Sequence, residues 1–474
     1  MNRRELLGTL GAASASTLLW AFGCRAPVKG VEHVAASGGE VRTWLHDAIA
    51  ALRGAGLDAP HALAVTRRRT TAAIDVLGAG VSRGRSDGVV IGVRDKDGAA
   101  REIVTSELSA DGVADAVQTL IGRALGAPAR LDFGKPRVWN AAGVDLDDDV
   151  LLARVETMAQ QDDAVSSRIV YQAASIDIDD ATVWSVAPGS DLEQRLVRVR
   201  RGAIRVAWNG TRPVVSEVAR AWMGGIDDGE LTGHQLGDAT RAALQLLTPG
   251  SLDDGEYGLV LEPSIVAAIV DAATQALLTV AAARRPEVAR RLAIGANVAS
   301  PQLTLVDDPT APRAYGGFHF DDAGELAAPV TLLDQGHVAQ KLARARRPGH
   351  LGVAEPAASH LRLAAGASER DHLLDDGYLL EGASSAVVDP ASDRLVVAIA
   401  RAREVKGGKL TGRVFADLEL VGDLAALLAS VHGVSKQTDT LAIRDDRDGR
   451  PCWRSFEVPS LRVRGNLRAH RSQT

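Results

Sequence analysis

Cysteine is almost absent from this chain of 474 residues, which contains only Cys24 and Cys452. Two cysteines can form at most one disulfide bond and no disulfide framework, so apolar cores must stabilise the fold. The sequence also lacks a Cys-x-x-Cys pair, which excludes a structural zinc ribbon.

Aromatic residues and an excess of one charge are lacking as well. Aromatic residues make up 4% of the chain and the net charge is −6, with acidic and basic residues mixed along the sequence. A mildly negative chain lacks the excess of basic residues that attracts the phosphates of nucleic acids, so we expect no nucleic-acid partner. The apolar content of 46% and the charged content of 24% are nevertheless typical of a folded globular protein.

Several common catalytic motifs are missing too. The chain has no Gly-rich phosphate loop, no Gly-x-Ser-x-Gly elbow and no paired Cys and His nucleophile motif. The histidines His337, His350, His360 and His372 fall within one stretch. Their spacings do not place two of them on one face of a helix or strand, so we interpret them as structural residues and not as metal ligands.

The N-terminus has the pattern of an export signal. Arg3 and Arg4 precede two leucines, as in a twin-arginine signal, and a mildly apolar stretch follows over residues 7–22. That stretch is too short and too weakly apolar for a membrane-spanning helix, and it ends at Cys24 in a pattern similar to a lipobox. We therefore expect a periplasmic or other extracytoplasmic protein whose only membrane contact is a lipid on Cys24. Simple cleavage of the signal, or a cytoplasmic protein with an apolar N-terminal helix, stays open.

The hydrophobic periodicity predicts an α+β protein. A small N-terminal α/β unit and a middle α+β unit precede a mostly antiparallel β domain that contains one buried helix. The predicted organisation is a signal at residues 1–24, a linker at 25–40, an N-terminal domain at 41–126, a middle domain at 127–252 and a C-terminal domain at 253–474.

The most apolar run of the chain, Leu259 to Arg284, predicts one long buried helix. Pro263 suits its first turn, and Ser264 could cap that turn. Helical spacing places four polar residues on one stripe of this helix: Asp271, Thr274, Gln275 and Thr279. The stripe could face solvent or a subunit interface, or it could line a functional chamber, because unpaired polar groups are costly to bury.

Several C-terminal segments carry a family resemblance. A strand with two following aspartates (298–309), a Gly-rich stretch with an acidic turn (315–325) and a hairpin (330–337) occur in that order. Together with the stretch 388–412 and the closing segment 458–463, they resemble the TldD/PmbA family, whose members are related to metallopeptidases. The older description of that family as modulators of DNA gyrase does not imply DNA binding here, because the charge balance gives it no support.

The resemblance implies a degenerate metal site in the apolar segment. TldD-type members carry a HExxxH motif at this place, where two histidines bind the metal and the glutamate acts on a metal-bound water. Here the corresponding residues are Val270, Asp271 and Gln275, and the downstream Cys ligand of the family falls near Asp445 or, with a poorer match, at Cys452. Valine cannot bind a metal and glutamine is a poor zinc ligand, so the chain is closer to the PmbA (TldE) type, which lacks HExxxH.

The resemblance therefore implies a non-catalytic subunit of a peptide-hydrolysing complex. We expect a TldD-like partner, or a homodimer, and a peptide substrate, with zinc only on the partner and no cofactor in this chain. Seven residues are candidates for lining the chamber: Asp271, Thr274, Gln275, His319, Asp321, Asp322 and Asp445. Two alternatives stay open. One is an exported protein that binds a peptide or another ligand in the former protease cavity; the other is an enzyme with a rebuilt site that combines Asp271 with Asp321, Asp322 or His319.

Overall fold

The computed structural model describes residues 37–94, 100–122, 127–161, 166–211, 213–343, 345–346, 355–447 and 450–469. The predicted export signal at Arg3 and Arg4, the lipidation site Cys24 and most of the linker lie outside these ranges. The chain forms two compact units, which divide between Leu247 and Thr248.

The first unit contains seven strands and four α-helices within the described ranges. The strands are β1 (His61–Asp75), β2 (Gly78–Arg94), β3 (Ala100–Thr105), β4 (Arg137–Trp139), β5 (Ile169–Ala187), β6 (Ser190–Trp208) and β7 (Pro213–Met223). The helices are α1 (Gly38–Gly54), α2 (Ala110–Ile121), α3 (Asp148–Gln160) and α4 (Gly233–Gln245).

These strands form one sheet in the order β3-β2-β1-β5-β6-β4, and β7 pairs with β6. All the neighbouring strands are antiparallel except β4 and β6. The apolar faces of α1 and α2 pack on β1 and β2, whereas α3 and α4 contribute to a second cluster with β5 and β6. Strands from both predicted regions, 41–126 and 127–252, therefore lie in a single sheet.

The helix starts of the first unit follow local capping signals. Ser37 and Glu40 form a reciprocal capping box at the start of α1. Ser109 caps α2, because its hydroxyl accepts a hydrogen bond from the N–H of Gly112. Gly122 ends α2 in the left-handed region with φ of 66°, a conformation that favours glycine.

The second unit contains most of the strands. They are β8 (Gly255–Leu261), β9 (Leu305–Asp307), β10 (Val330–Asp334), β11 (His337–Val338), β12 (Ala345–Arg346), β13 (Glu355–Pro356), β14 (His360–Leu363), β15 (Gly377–Val388), β16 (Arg394–Lys406), β17 (Lys409–Phe415), β18 (Leu418–Asp423), β19 (Gly433–Arg447) and β20 (Arg450–Ala469). The α-helices of its described part are α5 (Pro263–Leu277), α6 (Pro286–Arg291) and α7 (Leu424–Ala429).

The main sheet of the second unit closes on itself. Its order is β11-β10-β9-β14-β20-β18-β16-β15-β8, and β20 also pairs with β8. Five strands therefore form a closed ring: β8, β15, β16, β18 and β20. The predicted α+β class, with a C-terminal domain rich in antiparallel strands around one buried helix, is confirmed.

The prediction of one helix from Leu259 to Arg284 was wrong at both ends. Residues 259–261 belong to β8, and α5 begins at Pro263 and ends at Leu277. Because β8 is paired on both sides and buried, its run of apolar residues has no periodicity that distinguishes a strand from a helix. Ser264 does not cap the helix: its hydroxyl donates to the Glu262 carboxylate and accepts from the N–H of Gly382.

Helix α5 packs its apolar side into the core of the second unit. Ile265, Val266 and Ile269 are buried there. Beside them lies an apolar cavity of about 60 Å³, lined by residues that include Leu261, Val270 and Leu461. In the described part of the chain, no helix has the length and hydropathy needed to cross a membrane.

Candidate functional site

The centre of the candidate site is an ion pair between α5 and β20. The Arg454 guanidinium lies 2.9 Å (Nε to Oδ1) from the carboxylate of Asp271, and the Arg454 side chain is only 3% exposed. Its Nη1 also donates to Sγ of Cys452, at 3.6 Å. Arg454 and Cys452 are two residues apart on one strand, so both point to the same face of the sheet. A buried cation thus joins a carboxylate of the helix to a thiol of the sheet.

The rest of the polar stripe is not a solvent face. Thr274 is fully buried, and within the described residues its hydroxyl has no hydrogen-bond partner. Gln275 is partly buried. Thr279 is also buried, but it lies beyond the end of α5, where its hydroxyl accepts from the N–H of Ala282. The solvent-facing interpretation of the stripe was therefore wrong for Thr274 and Thr279.

The residues at the degenerate HExxxH position do not fit a metal ion. Val270 has no donor atom and packs in the apolar core, 8% exposed. The Asp271 carboxylate already carries a cationic partner, and two unit charges 4 Å apart repel by about 4 kcal/mol at an effective dielectric constant of 20. A divalent ion placed beside Arg454 would face about twice that repulsion. Among the described residues, no three His, Cys, Asp or Glu side chains converge as metal ligands would.

The two alternative positions for the family's Cys ligand lie opposite each other. Asp445 of β19 pairs in register with Cys452 of β20. The side chain of Asp445 lies outside the described part of the structure. Cys452 is a buried free thiol and has the Arg454 guanidinium as its neighbour.

The other predicted chamber residues lie in the connection between β9 and β10. Oδ1 of Asp321 accepts hydrogen bonds from the N–H groups of Ala323 and Glu325, at 2.9 and 3.0 Å. Asp321 is buried and thereby shapes the acidic turn, while its neighbour Asp322 is partly buried. Burial lowers the pKa of His319, which favours its neutral form.

Sequence reasoning missed a second buried polar cluster, at β9, β14 and β20. Oδ1 of the fully buried Asp307 accepts three hydrogen bonds, from the N–H and hydroxyl of Ser359 and from the N–H of His360. The His360 ring bonds through Nδ1 to the hydroxyl of Ser455, at 2.8 Å. Ser455 also accepts from the N–H of Gly316. The only sign of this polar cluster in the sequence was an aspartate directly after a predicted strand.

The stability of the protein should depend on pH through His360. Burial lowers the pKa of its ring, and the Arg362 charge acts in the same direction against the attraction of Glu457. As the pH falls, the imidazole is therefore protonated in the unfolded chain before it is protonated in the folded chain. The free energy of unfolding then falls as the pH drops below about 6.5, by at most about 1.4 kcal/mol per pH unit. We expect His360→Asn to reduce this acid slope in urea unfolding measured between pH 5 and 7.5.

The exposed His337 supplies the control for this prediction. His337→Asn removes an exposed imidazole and so controls for the substitution itself, and the slope due to His319 should persist in both variants. The assignment to His360 would be wrong if His360→Asn kept the full slope.

Comparison with known proteins identifies the second unit. Residues 254–467 match the family model of the PmbA/TldA metallopeptidase C-terminal domain. A metalloprotease of Methanocaldococcus jannaschii is 22% identical over 229 residues, which is 45% of this chain and 51% of that protein. A metalloprotease of Methanothermobacter thermautotrophicus is 22% identical over 306 residues, 60% of this chain and 65% of that protein. The chain therefore spans between half and two thirds of the lengths of these relatives.

Solved structures show the same fold over most of the chain. The structure of a protein described as a modulator of DNA gyrase, from Bacteroides thetaiotaomicron, aligns with a TM-score of 0.72 at 17% identity and covers 92% of this chain and 100% of the other. TldE from Thermococcus kodakarensis aligns with a TM-score of 0.69 at 15% identity and covers 88% of this chain and 99% of the other.

The family match assigns residues 254–467 to the class of metallopeptidase C-terminal domains. More particularly, the chain carries a C-terminal domain of the TldD/PmbA family, as the motifs in its sequence indicated.

Proposed function

We propose that this protein is the PmbA-like, non-catalytic subunit of a peptide-hydrolysing complex. Its partner would be a TldD-like chain that holds the zinc, and its own cavity would help to enclose the peptide. We further propose that the N-terminal segment with Arg3 and Arg4 exports the protein to an extracytoplasmic space, where a lipid on Cys24 could anchor it.

The ion pair between Arg454 and Asp271 carries this proposal. It lies where the family resemblance locates the catalytic metal, and it engages the one carboxylate that the degenerate motif retains. Val270 turns into the apolar core and offers no ligand. A chain built in this way can keep the fold and the chamber of a metallopeptidase while it leaves the hydrolysis to a partner.

Co-expression with an exported chain that carries an intact HExxxH motif, from a neighbouring gene, tests the proposal. We expect the two chains to purify together, to contain zinc and to cleave unstructured peptides. The present chain, purified without its partner, should cleave none. The Asp271→Asn variant should form a complex that still cleaves peptides, because Asp271 holds no metal. Replacement of the glutamate in the partner's HExxxH should abolish cleavage. One tight zinc per chain in the isolated protein, together with peptide cleavage, would contradict the proposal.

One observation favours a second candidate, an exported ligand-binding protein. The apolar cavity beside α5 is lined by leucine and valine side chains and could admit an apolar side chain of a peptide. The isolated protein would then bind apolar peptides without a partner, and Val266→Phe would abolish that binding by filling the cavity. This result would support the ligand-binding protein against the non-catalytic subunit.

A further inference from the structure

The buried Arg454 lies where the family resemblance implies a metal ion in the second unit. We infer that the Arg454 guanidinium replaces the metal ion as the cation that ties α5 to the β19–β20 hairpin. This inference deepens the proposed function and rests on its assignment of Asp271 to the degenerate metal position. It concerns how the fold is maintained there, which the subunit role by itself does not explain.

The contacts of Arg454 match what a metal ion would do for the fold. A metal at this position would join a helix carboxylate to a ligand near the C-terminal hairpin. Arg454 makes the same kind of connection, since its Nε faces Asp271 of α5 and its Nη1 bonds to Sγ of Cys452 on β20. Arg454 is always protonated and buried, so its charge is a permanent part of the core.

The surroundings fit a cation of fixed charge better than an exchangeable ion. Thr274, one turn beyond Asp271 on the same stripe, is fully buried and has no hydrogen-bond partner among the described residues. Its hydroxyl is a weak metal ligand, and Val270 supplies none. The site thus retains one carboxylate, which the guanidinium neutralises, and breaking such a pair by removing one partner is destabilising.

A double-mutant cycle on the isolated chain tests this inference. We expect Arg454→Met to lower the Tm by about 10 °C, because it removes the buried cation that pairs with the Asp271 carboxylate. Asp271→Asn should also lower the Tm. In the double variant, the loss should be smaller than for Arg454→Met alone, since neither charge remains.

Arg462 provides the matched control on the same strand. It is also buried, but its guanidinium bonds to the backbone oxygens of Leu373, Asp375 and Asp376 and to the carboxylate of Asp375, not to Asp271. The losses in Tm from Arg462→Met and Asp271→Asn should therefore add. If Arg454→Met does not fold, Arg454→Lys replaces it in the cycle. The loss in Tm of the double variant Arg454→Lys/Asp271→Asn should then be smaller than the sum of the losses of the two single variants.

A metal arm completes the experiment. The Tm of the unchanged chain should stay the same after treatment with EDTA and after addition of Zn²⁺. The inference is overturned if Arg454 and Asp271 contribute additively, or if Zn²⁺ raises the Tm of the unchanged chain and Asp271→Asn abolishes that rise. Both arms use the chain without a partner, so their failure is distinct from a failure to find a TldD-like subunit.

Discussion

Replacing Asp307 by alanine is expected to lower the free energy of unfolding of the second unit by about 3 to 5 kcal/mol. Asp307 is fully buried, and its Oδ1 accepts hydrogen bonds from three donors of Ser359 and His360. Without the carboxylate these donors are buried and unpaired, and each unsatisfied group costs about 1 to 3 kcal/mol. Urea unfolding, together with hydrogen exchange of the amides of β14, measures the loss.

Asp307→Asn is the matched control for this variant. Its amide oxygen can still accept at the position of Oδ1, and the side-chain volume is almost unchanged, so we expect a loss of about 1 to 2 kcal/mol. Equal losses for the alanine and asparagine variants would show that the negative charge, and not the acceptor geometry, stabilises this cluster.

Gly316→Ala is the second variant for which we expect a large loss, about 3 kcal/mol or more. A Cβ atom at this position would lie 2.0 Å from the carbonyl oxygen of Ser359 and 3.0 Å from that of Trp453. Both are backbone atoms next to the pairing of β14 with β20, so neither can move without disturbing that pairing. The hydrogen bond from the N–H of Gly316 to Ser455 should be lost as well, which protection of that amide against exchange would reveal.

Gly39→Ala tests whether the effect is local to the crowded site. Gly39 lies in α1 and nothing lies within 4 Å of a Cβ atom built there. Alanine is favoured over glycine in a helix by up to about 1 kcal/mol, so this variant should be slightly more stable than the unchanged protein. A Gly316→Ala variant of unchanged stability would mean that the loop before β10 can move away from β14 and β20 at little cost.

The sequence allowed good prediction where one local signal dominates. The cap at Ser109, the place of Pro263 in the first turn of α5 and the hairpin turn before His337 follow from residue types with a fixed conformational role. The family resemblance then located the candidate site on α5, because ordered motifs carry more information than hydrophobic periodicity does.

Other features could not be predicted because tertiary packing decides them. The arginines of β6 alternate with apolar residues, a pattern typical of a strand with one solvated face, yet Arg198, Arg201 and Arg205 are buried. The segment that follows Lys409 divides into two strands, since Asp417 adopts a positive φ of 54° between β17 and β18. Arg454 gave no sign of its pairing with Asp271, because the two residues are far apart in the sequence and meet only when β20 packs on α5.

The closed ring of the second unit also fixes the order of events during synthesis. Gly255, in the first strand of this unit, pairs with Leu467, in its last described strand. Strand β8 must therefore wait for the last strand before one of its edges is covered, and contacts of such wide separation slow folding. The nascent unit exposes an unpaired apolar strand until β20 has been synthesised. The same adjacency places the two ends of the unit side by side, so a circular permutant that joins them and opens the exposed turn at Gly407 should retain every strand of the ring.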